Sequence, residues 1–169
     1  AATRFGTDVQ GAYAYAAETY AGQNQFDSGA HSSNNLQDCL GCHMRRSPPD
    51  TPNHVFVPEV SACSGCHGGG PEFKDLGAGV SDDYNDIQTL LSELLTAIQD
   101  YTETTLGSRV VYNSDSYPYW FDSEGNRYSF DAPSLKGAYN YQTGSKDPGN
   151  YIHNATYTKQ FLIDSIEDL

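Results

Sequence analysis

The residues with the clearest capacity for chemistry are the four cysteines and five histidines. The cysteines form two pairs of identical spacing, Cys39-Leu-Gly-Cys42-His43 and Cys63-Ser-Gly-Cys66-His67. Both read C-x-x-C-H, the attachment signal for c-type heme. The spacing has a chemical reason. Two thiols add across the two vinyl groups of one porphyrin, and the next residue presents an imidazole to the iron. Paired cysteines serve three other chemistries: structural disulfides in a secreted protein, a zinc site built from two C-x-x-C pairs, and a thioredoxin-like redox pair. Histidine is 5 of 169 residues, so a His directly after both pairs arises by chance in about one sequence per thousand of this composition. Zinc is satisfied by four ligands, which leaves both adjacent histidines without a role. The pairs therefore predict two heme c groups per chain. Cys39, Cys42, Cys63 and Cys66 are the expected covalent anchors, and His43 and His67 the proximal iron ligands.

Each iron also takes a distal ligand. Three histidines remain, His31, His54 and His153, and the only methionine, Met44, is tethered beside a proximal ligand. Met44 cannot easily reach the opposite face of that heme. Both irons are thus expected to be bis-His and six-coordinate, with fairly low potentials and no open position for a substrate. Two of His31, His153 and His54 fill the two distal places, which leaves one histidine surplus.

These side chains need elements to hold them. All four cysteines and four of the five histidines fall within about 31–70, the expected heme core. Pro48, Pro49, Pro52 and Pro58 disfavour regular structure between the motifs. A short helix is conceivable at 9–20. Over 81–108, Ile87, Leu90, Leu91, Leu94, Leu95 and Ile98 recur at helical spacing, with Ser81, Asp82 and Asp83 as an N-terminal signal and Gly107 as a stop, giving a helix over about 82–106. That stripe could cover a heme face or simply pack against other helices. Residues 109–131 read as a β-hairpin insertion with Asp122–Asn126 as a turn rather than a calcium loop. Residues 134–141 should be helical and Lys146–Gly149 a turn. A closing ligand helix over about 153–168 would begin at His153. Asn154-Ala155-Thr156 is a glycosylation sequon. Thirteen tyrosines, most of them between 101 and 157, suit either a protein interface or internal packing. The expected whole is one domain over 1–169, mostly α and irregular, organised around heme.

Composition narrows the partners. The formal net charge is −13, which opposes binding to nucleic acid or to an anionic membrane surface. No apolar run approaches the length of a membrane span. The chain opens Ala1-Ala2-Thr3 without a basic-then-apolar leader, the form expected of an exported protein after its signal peptide has been removed.

The doubled motif with its surroundings, His31 to Met44, Asn53 to Pro58 and Cys63 to Gly69, resembles the multiheme cytochromes c. Leu135 to Tyr141, Lys146 to Asn154 and Phe161 to Leu169 resemble the C-terminal segment of large extracellular multiheme cytochromes of anaerobic, metal-respiring microbes. Residues 71–133 carry no such likeness. The pentaheme nitrite reductases share the doubled unit, and that resemblance implies pairings. His31 would serve the heme of Cys63, Cys66 and His67. His153 would serve the heme of Cys39, Cys42 and His43. His54 would be surplus or reach a neighbouring subunit, because no third motif precedes it. The resemblance implies a non-enzymatic electron carrier that partners other cytochromes or copies of itself and a terminal electron acceptor. The leading expectation is the repeating subunit of an extracellular filament. A monomeric periplasmic shuttle, a docked heme-bearing subunit and a small heme enzyme are the competing ones.

Overall fold

The computed structural model describes residues 15, 42–44 and 56–169. His31, Cys39 and His54 lie outside the described residues, as does the helix considered at 9–20 apart from Tyr15. The described part is mostly helical with one small antiparallel sheet. Its elements are α1 (Ser64–His67), α2 (Val80–Leu106), β1 (Val111–Tyr112), β2 (Trp120–Phe121), α3 (Ala132–Lys146), α4 (Asn150–His153) and α5 (Ala155–Glu167).

The organising element is α2. Ile87, Leu91, Leu94 and Ile98 are buried at spacings that keep them on one face, and Thr102 continues the line. This face packs on α3 and α5, where it meets Ala138, Phe161 and Leu162. The stripe therefore serves ordinary helix packing. The start of α2 differs from expectation: it begins at Val80, and its N-cap is Gly79 in the left-handed region (φ 89), with no side-chain cap bond. Asp82 and Asp83 instead sit in the first turn, where the helix dipole favours acidic groups. The stop is as expected. Gly107 adopts φ 74, and the Ser108 N–H bonds back to the Thr102 carbonyl at 3.2 Å.

α3 begins at Asp131, whose carboxylate accepts the Ser134 N–H, and it runs five residues past the expected end at 141. Gly144 lies inside it. A Cβ there would stand 3.2 Å from Leu91 Cδ2 and 3.5 Å from Leu162 Cδ2, so the small residue lets three helices meet. Asn140, fully buried, donates to Ser165 Oγ at 2.8 Å across the α3–α5 contact.

The insertion is a short meander. Val111 pairs with Phe121 and Tyr112 with Trp120, and Phe121 bridges onward to Arg127. The Asp122 carboxylate accepts the N–H groups of Glu124 and Asn126, both at 2.9 Å, so this loop is a plain turn. Most of the aromatic residues here are spent internally: Trp120 packs on Tyr112, Phe130 and Tyr141 with ring centres 4.7 to 5.6 Å apart. Tyr117 remains 75% exposed. Among the described residues no helix is long and apolar enough to cross a membrane.

The C-terminal region departs from the expected single helix. It is two helices, α4 and α5, parted at Asn154 (φ −166, ψ 76). The Asn154 side chain caps α5 by accepting the Tyr157 N–H at 3.2 Å. Asn154 is 5% exposed, which removes the sequon as an accessible glycosylation site. His153 consequently ends α4 rather than starting the closing helix.

Candidate heme-ligand site

The second motif forms a single helical turn. Cys63 caps α1, and its carbonyl accepts the Cys66 N–H at 3.1 Å and the His67 N–H at 3.0 Å. Residues three and four apart lie on one helix face, so the Cys63 and Cys66 thiols and the His67 imidazole are presented together. Cys66 is exposed and forms no disulfide. The turn is tied to the helical body through Gly77. Its N–H donates to the His67 carbonyl at 2.7 Å, and its carbonyl accepts from His67 Nδ1 at 3.3 Å. A Cβ at Gly77 would lie 2.8 Å from the His67 oxygen, so the approach depends on glycine. Leu76, 1% exposed, is buried beside it.

In the first motif Cys42 and His43 are helical and Met44 follows in a turn. His43 Nδ1–H donates to the Phe56 carbonyl at 2.8 Å. A carbonyl oxygen can only accept, so the bond fixes the tautomer and leaves Nε2 with its lone pair. Phe56 adopts φ 60, a left-handed conformation uncommon for a bulky residue, at the point where its carbonyl serves His43.

His153 is held from the helical body. α4 is anchored on several sides. Tyr151 packs edge-on against Tyr84 of α2 with ring centres 5.1 Å apart. Burial raises the Tyr151 phenol above its ordinary value. Asn150 donates to the Gly144 carbonyl at 2.8 Å, and Thr158 Oγ1 donates to the Asn150 carbonyl at 3.3 Å. His153 Nδ1 lies 3.1 Å from Asp147 Oδ2. With Nδ1 donating to the carboxylate, Nε2 is again the nitrogen left to bind a metal.

These elements bring His43 and His153 together. Their ring centres are 6.2 Å apart and their planes are inclined by 36°. Two imidazoles that share one metal, with each nitrogen about 2 Å from it and about 1.2 Å from its own ring centre, have centres about 6.4 Å apart. The His43–His153 separation is of that size, and each ring has its Nδ1 engaged elsewhere. Among the described residues no group of three or more His, Cys, Asp or Glu converges on one point. A porphyrin asks the chain for only two nitrogens, because it brings four of its own.

Compared with known proteins, the chain matches no family model, no curated protein and no solved structure.

Of the expected site residues, the structure juxtaposes His43 with His153 and groups Cys63, Cys66 and His67 on one turn. Three supporting groups carried no signal that spacing alone reveals: Asp147, Gly77 and the Phe56 carbonyl. From sequence, Asp147 is legible only as part of a turn.

Proposed function

We propose that this chain is an electron-transfer protein carrying two heme c groups, each iron gripped by two imidazoles, and acting outside the cytoplasm at the cell surface or in the periplasm. The observation that carries the reading is the His43–His153 pair, 6.2 Å between ring centres with both Nδ1 atoms bonded elsewhere. The heme supplies a reversible one-electron iron couple when bound. The protein's part is to anchor it through Cys39 and Cys42, and its companion through Cys63 and Cys66. His43 and His153 would hold the first heme, and His67 with His31 or His54 the second. With two imidazoles on each iron no place would remain for a substrate, which favours a carrier over a catalyst. Intact-mass measurement under denaturing conditions tests this. Two hemes per chain are expected, and a bare polypeptide or a single heme overturns the reading.

The finer reading is a repeating subunit of an extracellular filament, supported by the resemblance of its C-terminal segment and by one histidine more than two irons need. Electron microscopy of secreted material distinguishes it from a monomeric shuttle: filaments support it, and monodisperse small particles at high concentration overturn it.

A further inference from the structure

Asp147 makes two bonds at once. Its Oδ1 accepts the Gly149 N–H at 2.8 Å, and its Oδ2 accepts from His153 Nδ1 at 3.1 Å. One carboxylate thus shapes the turn that enters α4 and orients the imidazole that ends it. Its side chain is 13% exposed and that of His153 29%, so water competes weakly for the contact. Gly149 closes the arrangement from below. A Cβ there would stand 2.6 Å from His153 Cε1 and 2.9 Å from Nε2, so any side chain at 149 displaces the ring. The other two described histidines are bonded differently. His43 meets the neutral Phe56 carbonyl and His67 the neutral Gly77 carbonyl. The acceptor for His153 is ionic.

That difference has an electronic consequence. A carboxylate on Nδ1–H draws the proton toward itself and makes the opposite nitrogen a stronger donor. A stronger axial donor favours the more highly charged, oxidised state of the iron it binds, and so lowers the potential. We propose that Asp147 is a positioning residue: it fixes the His153 tautomer, leaves Nε2 as the nitrogen for iron, and depresses the reduction potential of the one heme that His153 would share with His43. The inference rests on the two-heme reading above and adds to it which heme is tuned and by what.

The test compares wild type, Asp147→Asn and Gly149→Ala after maturation with heme. Readouts are heme content by pyridine hemochrome, a spectroelectrochemical titration that resolves two midpoints, and low-temperature EPR of the oxidised protein. Asp147→Asn keeps an acceptor for the Gly149 N–H and removes the charge. The expected result is two hemes retained, one midpoint shifted upward with the other unchanged, and one of two low-spin EPR signals altered. Gly149→Ala leaves the carboxylate and pushes the ring, so one heme in two should gain high-spin character. Should Asp147→Asn fail to accumulate, Asp147→Ser, which also keeps an acceptor for the Gly149 N–H without the charge, decides by the same readouts. Two-heme variants with both midpoints and both low-spin signals as in wild type overturn the role of Asp147. Equal shifts of both midpoints also overturn it, since that is a general charge effect. Wild-type protein without two hemes overturns the underlying reading instead.

Discussion

The motif-bearing segment and the helical body are built by different forces. Among 56–75 no described residue is buried, whereas Leu76 and every member of the main apolar cluster, from Ile87 to Leu162, lie in the body. The body orders itself by removing apolar side chains from water. The segment is shaped by short-range hydrogen bonds, at Cys63 within the α1 turn and at Gly77 beside it, and presents ligating atoms outward. Among the described residues, the body meets the segment where α2 packs against Phe73–Asp75, where Gly77 receives His67, and where His153 stands beside His43. Under the proposed function, a bound heme would supply the burial that the segment's own side chains do not.

The most drastic way to break the comparison is to replace all four cysteines with Ala. Both hemes should then be absent from the denatured mass, while the helical signal of α2, α3 and α5 survives in far-UV circular dichroism. Collapse of that signal together with the hemes would show that the body is not self-sufficient. Next in size is His153→Ala, which removes the body's one imidazole from the gap. One heme in two should become high-spin and bind carbon monoxide on reduction, with heme content unchanged. If neither heme binds carbon monoxide, His153 is not a ligand. The converse perturbation is Phe161→Ala, at a fully buried ring packed against Tyr157 with centres 5.3 Å apart. It should cost about 3–5 kcal/mol of the body's stability in urea unfolding, yet leave heme content as in wild type, because the thiols that would hold heme lie in the other region.

The two regions were also unequally legible from sequence. The α2 stripe, its stop at Gly107 and the Asp122 turn follow from periodicity and turn chemistry, which act locally. The spacing that puts Cys63, Cys66 and His67 within one turn agrees with α1. The misses came where a local signal lost to a contact made at a distance. The helix expected over 134–141 runs on to Lys146, with Gly144 letting Leu91 and Leu162 approach closely. Ser81 and Asp82 read as a cap, but the left-handed Gly79 starts the helix earlier. The closing helix expected over 153–168 starts instead at Ala155, because the buried Asn154 side chain, bonded to the Tyr157 N–H, caps it there and leaves His153 at the end of α4.

The smallest expected effect sharpens the comparison by testing the body with pH alone. Asp131 caps α3: its carboxylate accepts from the Ser134 hydroxyl and N–H and from the Tyr101 hydroxyl at 2.7 Å. These donors, Ser134 first, hold the carboxyl below its ordinary 3.8. A group whose folded value is depressed stabilises the fold above its unfolded value and loses that contribution as pH falls through the folded one. The cap should therefore be intact at neutral pH and weaken only below about 4. Asp131→Ala should cost about 1 kcal/mol at pH 7, as loss of a helix cap does. The difference between variant and wild type should shrink as the pH is lowered toward 3. Chemical unfolding at pH 7 and at pH 3 measures both. A deficit that stays constant across that range would mean that Asp131 acts through packing rather than through its charge. The heme absorbance expected under the proposed function should be the same in both proteins at pH 7, because Asp131 caps α3 and belongs to neither motif.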